Sequence, residues 1–220
     1  LSIGQSAGPE KKPARRKAGR PLDTAKRAAI VDTAAQHFFH HGYAATAIEQ
    51  IASDAGVSKV TIYNQFGDKR ALFTAAVECE CEKMRGHFSL DAMSQGTIRE
   101  RLTAIGAAIY AFLSRPEMIQ FERRIAAETE IDPAIGIAFL QAGPWRMKEG
   151  FAAWLARACE LGDLAIPDPK LAAEQFVSMC KGMGDLERRF GATVAPAERD
   201  RRIIGAVNVF LAAYGTPQNR

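Results

Sequence analysis

Between Ser58 and Lys69 the chain places Lys59, Val60, Thr61, Tyr63 and Asn64 within two helical turns. At 100° per residue, Ile62 and Phe66 share one face, which must be the buried one. Val60, Thr61 and Asn64 then point the opposite way, bordered by Lys59 and Tyr63. That mixture suits a DNA major groove better than a solvated surface. Asn can pair with an adenine edge, Val can touch a thymine methyl, and Thr can do either. The Tyr hydroxyl and the Lys ammonium can reach phosphates.

Catalytic chemistry has no comparable set. The sequence shows no nucleophile elbow, phosphate loop, HExxH or glycine fingerprint. Glu128, Glu130 and Asp132 read as solvation at a helix end. A small helical enzyme is the competing class, and turnover without DNA would reveal it. No cofactor is expected. Nor is a metal: His37 and His41 stand four apart without a third ligand nearby and read as surface residues, and the four cysteines lack zinc-finger spacing.

Charge is distributed unevenly. Residues 1–72 hold 11 Lys or Arg against 6 Asp or Glu, while the remainder holds 18 against 19. All the excess positive charge is therefore N-terminal, as expected if one part meets a polyanion and another does something else. The longest apolar runs, Ala104–Leu113 and Ile203–Tyr214, fall short of the roughly 18 residues of a membrane span. With no apolar signal segment visible near the start, a cytoplasmic location and no membrane partner are expected.

The elements that must hold this strip are helical. Residues 1–22 form a flexible basic arm in this reading, carrying Lys11, Lys12, Arg15, Arg16, Lys17 and Arg20. Apolar spacings of three and four from Ala28 to Phe39 predict a first helix that stops at Gly42. Thr46-Ala-Ile-Glu49 reads as a capping box opening a short helix over about 47–55. Ser58 caps another over about 59–66, and Asp68 a longer one through about 82. Ala52 and Gly56 are expected where these two short helices approach closely, with Ile48, Ile51, Val57, Ile62 and Phe66 fixing their crossing. Further helices are predicted at about 98–114, 117–130, 133–141, 144–161, 169–188 and 197–214. Thr97-Ile-Arg-Glu100 supplies a second capping box, and Pro116, Pro133, Pro144 and Pro169 sit in first turns. No alternating stretch argues for a sheet. The fold class is all-α.

The stretch from Val57 to Phe73, with Gly42-Tyr43, Thr46 and Ile51-Ala52 before Gly56-Val57-Ser58, resembles the helix-turn-helix signature of TetR-type regulators. The match covers about residues 24–73. The resemblance implies a dimeric transcriptional regulator, its operator DNA met by Thr46, Ser58, Lys59, Thr61, Tyr63, Asn64 and Lys69. Val60 joins them on its outward position alone, since that position varies in the family. Lys69 also has an independent rationale, as a cation in a helix first turn beside exposed N–H groups.

The implied organisation is a helix-turn-helix domain over 23–73 and a larger helical effector-binding and dimerisation domain over 74–220. Phe121–Asp132 and Pro169–Phe176 are similar to the AefR-like subgroup. The resemblance places the homodimer contact on the last two helices, where Leu171, Ala172, Phe176, Met179 and Met183 form one stripe and Ile203, Ile204, Val207, Phe210 and Leu211 another. Aromatic and Met residues on the middle helices suggest a cavity for a small, mostly apolar effector, with Tyr110, Phe121 and Trp154 as its expected lining. The expectation is a repressor released from a palindromic operator by that effector. A DNA-binding protein without an effector would instead have a solidly packed second domain.

Overall fold

A computed structural model of the chain describes residues 21–87 and 96–219, with side chains over 24–83 and 96–219. Of the arm expected over residues 1–22, residues 1–20 lie outside the described residues, and Pro21 and Leu22 already belong to the first helix. Among the described residues ten helices follow one another: α1 (Pro21–His41), α2 (Ile48–Asp54), α3 (Lys59–Phe66), α4 (Lys69–His87), α5 (Ile98–Leu113), α6 (Pro116–Thr129), α7 (Pro133–Ala142), α8 (Pro144–Glu160), α9 (Pro169–Arg189) and α10 (Pro196–Tyr214). One antiparallel bridge, Leu164 to Gly215, is the sole β pairing among the described residues. The fold is all-α.

Local chemistry sets most boundaries. Ser58 Oγ accepts from Thr61 N at 3.1 Å to open α3, and Asp68 Oδ1 accepts from Ala71 N at 2.7 Å to open α4. Thr97 and Glu100 satisfy each other's backbone donors in a complete capping box at α5. Asp132 and Asp168 cap α7 and α9, and each of the last five helices begins with a proline that has no N–H to leave orphaned.

Two local expectations fail. Thr46 does not cap α2, whose N-cap is Ala47 without a side-chain bond. Thr46 is instead buried, and its hydroxyl donates to the Gly42 carbonyl at 2.7 Å and lies 3.2 Å from that of His37. The end of α1 outcompetes the start of α2 for that hydroxyl, and Glu49 turns outward to pair with Lys59. Gly56 marks no close approach: a Cβ there would meet nothing within 4 Å. Its glycine answers the turn's φ of +64°, which L side chains adopt only at a cost.

The buried side chains form two cores. The first gathers Ile30, Phe38, Ile51, Ile62, Leu72 and Phe73 from α1–α4, and α6 and α7 close it with Phe121, Ile125 and Ile135. The N-terminal helices therefore share their core with helices from beyond residue 74. The second core joins α5, α8, α9 and α10 around Leu102, Leu155, Phe176, Val207 and Phe210. This divides the two expected dimer stripes. Ala172, Phe176, Ile203, Val207, Phe210 and Leu211 are buried within the chain itself, whereas Leu171, Met183 and Ile204 remain exposed. A 100° step per residue makes adjacent stripe positions diverge, so one stripe serves two surfaces.

Cys180 lies fully inside the second core, and burial pushes its thiol up to about 12 from 9.0. Desolvation of the thiolate is the cause. Iodoacetamide at pH 8 is expected to modify Cys180 only as fast as the chain unfolds. Stability should also fall as pH rises above about 9, where the unfolded thiol ionises and binds fewer protons than the native one. Peptide mapping of the alkylated protein checks the first outcome, and labelling of Cys180 in the native state at the rate of a free thiol would contradict the burial.

Candidate nucleic-acid interface and apolar cavity

Helix α3 presents the strip anticipated from its phase. Ile62 is 1% exposed and seated in the first core, while Val60 is 66% exposed and Tyr63 and Asn64 face outward. The Ser58 and Thr61 hydroxyls lie 2.8 Å apart, so Thr61 is half-buried against the cap. Arg27 covers the Phe66 ring at 4.3 Å and shields the other edge of the helix. Gly67, at φ +85°, ends α3 and its N–H donates to the Tyr63 carbonyl at 2.8 Å.

Both lysines are engaged within the fold. Lys59 pairs with Glu49, and that hydrogen bond holds the Lys59 ammonium above its ordinary range and the Glu49 carboxyl below its own. To meet a phosphate, Lys59 must exchange one anion for another. Lys69 donates to the Ala44 carbonyl at 3.2 Å and sits 4.6 Å from the centre of the Tyr43 ring. Burial lowers its pKa, with Glu128 opposing. Of the eight expected contact residues, Thr46 is the one whose side chain is closed off from solvent. His37, expected on the surface, is half-buried and bonds Asp54 through Nε2 at 2.8 Å, tying α1 to α2.

What fixes these helices against the rest of the chain comes from α6. Glu128 Oε2 accepts from the backbone N–H groups of Tyr43 and Ala44 at 3.1 and 3.2 Å. One α-helical turn earlier, Arg124 donates to the Phe39 carbonyl at 2.8 Å. The Phe39 and Phe121 rings stack with centroids 4.0 Å apart. Arg70 adds an ion pair to Asp132 at 2.9 Å. Gly42, at φ +83°, leaves room for the carboxylate; a Cβ there would stand 2.5 Å from Glu128 Oε1. Glu128 and Asp132 are thus not solvated helix ends, because the α1–α2 turn and α4 supply donors that their sequence neighbourhood does not reveal.

A cavity of about 450 Å³ opens beside this contact, walled by Phe39, Ile109, Phe112, Phe139, Met147 and Phe151. Glu80, Glu122, Lys148 and Lys181 stand at its edges. Burial raises the Glu122 carboxyl, and the charge of Arg189 opposes that shift. None of the three residues expected to line it does so. Phe121 is wholly buried between α1 and α7, Trp154 lies one turn beyond Phe151 under Arg101, and Tyr110 turns to a different cleft. Their neighbours Met118, Glu122, Phe151, Ile109 and Phe112 take the role, a shift that only helix phase in the assembled bundle decides.

A family model described as the AefR-like transcriptional repressor C-terminal domain matches residues 100–216, and one described as bacterial regulatory proteins, tetR family, matches residues 30–76. The HTH-type transcriptional activator FasR of Mycolicibacterium smegmatis is 26% identical over 134 residues, which cover 59% of this chain and 61% of that protein. The chain thus spans about three-fifths of the length of this curated relative. A crystal structure of a putative TetR-family regulator from Mesorhizobium loti superposes with a TM-score of 0.76 at 27% identity, covering 90% of this chain and all of that one. The flavonoid-responsive regulator FrrA gives 0.71 at 28%, covering 88% and 99%.

Glu128→Ala tests the grip of α6. Hydrogen bonds to a charged acceptor are worth about 1.5–3 kcal/mol each, so losing both should lower stability by about 3 kcal/mol or more. Amide exchange at Tyr43 and Ala44 should accelerate well beyond that of α3. Unchanged exchange at both amides would show that the carboxylate does not hold the turn.

Proposed function

The chain belongs to the TetR family of DNA-binding transcriptional regulators, and from that membership we propose that it is a homodimeric repressor released from a palindromic operator by a small apolar effector. The observation that carries the DNA-reading part is the outward strip of α3, with Val60 two-thirds exposed on a helix whose opposite face is locked into a core. In this reading Val60, Thr61 and Asn64 meet base edges, while Ser58, Lys59, Tyr63 and Lys69 meet phosphates. Thr46 contributes by holding the turn that presents them. The reading domain is residues 23–73, the effector and dimerisation domain 74–220, and residues 1–22 an electrostatic arm.

The dimer contact falls on the exposed half of the last two helices. Met183 and Leu186 on α9, Phe190 just past its end, and Ile204 and Val209 on α10 leave apolar surface of the kind a two-fold interface covers. The effector site is the aromatic cavity behind Phe39. FrrA is a flavonoid-responsive regulator, and a planar aromatic compound would suit the rings of this cavity equally well. Repression is favoured by the AefR-like repressor model over most of the C-terminal half; FasR, named an activator, supports the opposite outcome.

Operator fragments selected from genomic DNA test the reading. Asn64→Ala should relax preference at one base position and cost about 1–3 kcal/mol on the cognate site. Tyr63→Phe should weaken all sequences alike, since a phosphate contact carries no base information. An unchanged preference in Asn64→Ala removes it from the base-reading set. A reporter that falls on deleting the protein would make it an activator.

A further inference from the structure

Helix α6 separates two concave surfaces. Met118 and Glu122 face the apolar cavity, whereas Ile119 and Arg123 face an open cleft of about 510 Å³ on its other side. We propose that this second cleft is an oxyanion site, taking a small molecule through a carboxylate or phosphate group.

The cleft gathers three guanidinium groups, those of Arg123, Arg188 and Arg199, together with Tyr110 and Ser114. Arg188 is the central one. Its side chain is only 9% exposed, yet Nε and Nη2 have no hydrogen-bond partner, and neither has the buried hydroxyl of Ser114. The Tyr110 hydroxyl takes Nη1, and the Tyr110 ring lies 4.4 Å beneath the guanidinium. Buried polar groups in native proteins are almost always paired, so Arg188 Nε and Ser114 Oγ, with an Nη2 whose ion-pair partner Asp185 stands 3.6 Å away, call for an acceptor on this cleft wall.

The local charge is only partly compensated: Asp200 pairs with Arg199 at 2.7 Å and Glu198 with Arg202 at 3.4 Å. Among the described residues Asp185 is the one carboxylate within 4 Å of Arg188, 3.6 Å from Nη2, and it is shared with Lys181 and Arg189, both at 3.3 Å. Arg123 bonds the Arg188 carbonyl at 2.9 Å and has no carboxylate within 4 Å among the described residues. Arg202 approaches from behind: a Cβ at Gly184 would collide with its guanidinium and stand 3.3 Å from Arg188 Nη1. Its Nη1 too is buried without a partner, although Glu198 lies 3.4 Å from Nη2. Two guanidinium groups held this close repel each other unless an anion lies between or beside them.

Two helix N-termini add to the field. Pro116 of α6 and Pro196 of α10 both line the cleft, and neither helix has a side-chain cap. The positive ends of both backbone dipoles therefore reach the same space as the arginines. Arginine forks bind carboxylate and phosphate alike, so the ligand class is defined by that shared geometry.

Calorimetric titration of the full-length protein tests the site, with inorganic phosphate in one arm, citrate in another, and chloride balancing ionic strength. Saturable binding of one anion per chain is expected in at least one arm. Preference for phosphate identifies a phosphorylated ligand, and preference for citrate a carboxylated one. Arg188→Gln should abolish binding, and Arg199→Gln, on the exposed rim, should weaken it about tenfold or more as one charge-assisted hydrogen bond is lost. Arg199→Gln carries the test alone if Arg188→Gln fails to fold. No saturable binding, or binding equal in Arg199→Gln, overturns the proposal. So does a wild-type protein that binds neither anion while Arg199→Gln weakens the dimer, since the arginines would then be serving a carboxylate of the second copy.

Discussion

The structure turns on the grip of α6 upon the α1–α2 turn. Glu128 occupies two backbone donors of that turn, Arg124 takes a carbonyl at the end of α1, and Phe39 stacks on Phe121 between them. Three contacts of different kinds thus converge on a stretch of six residues. Without them, α1–α3 would meet the rest of the chain mainly through α4. With them, the position of α6 is also a statement about the position of the reading helix.

The same residues explain why a ligand could be felt at DNA. Phe39 belongs to α1 and walls the apolar cavity, and Met118 and Glu122 of α6 line it as well. In the proposed function, filling the cavity would act on both partners of the grip at once. A ligand shifts the balance only by binding two arrangements unequally, and the shared wall supplies the means. In the proposed homodimer, a small tilt of α1–α3 in each protomer would change the spacing between the two copies of α3, which must match successive major grooves. The proposed anion cleft, lined by Ile119 and Arg123 of the same helix, would give a second place from which α6 can be biased.

Much of this was legible in the sequence because it is decided locally. Ser58, Asp68, Thr97 with Glu100, and the first-turn prolines act within four residues of themselves, and the helices they open lie within a few residues of where they were expected. The outward strip of α3 was legible for the same reason, as two apolar residues fix the phase of an eight-residue helix. The rest depended on partners distant in sequence. Glu128 finds its donors 84 and 85 positions away, and nothing near it distinguishes it from a solvated carboxylate. Thr46 obeys its neighbour Gly42 rather than Glu49. The cavity lining missed Tyr110, Phe121 and Trp154 because each sits a step of helix phase, or a turn, away from the open space that their neighbours enclose.

In the proposed function the cavity and the reading helix are two ends of one equilibrium. The most direct test of that coupling is the affinity of an apolar compound that quenches Trp145, at the cavity edge, measured with and without saturating operator DNA. Reciprocity requires operator to weaken the compound by the same factor by which the compound weakens operator, typically about 5–150-fold. Loss of that factor in Glu128→Ala, with cavity binding intact, would place the coupling on α6. Equal affinity with and without operator would contradict the account.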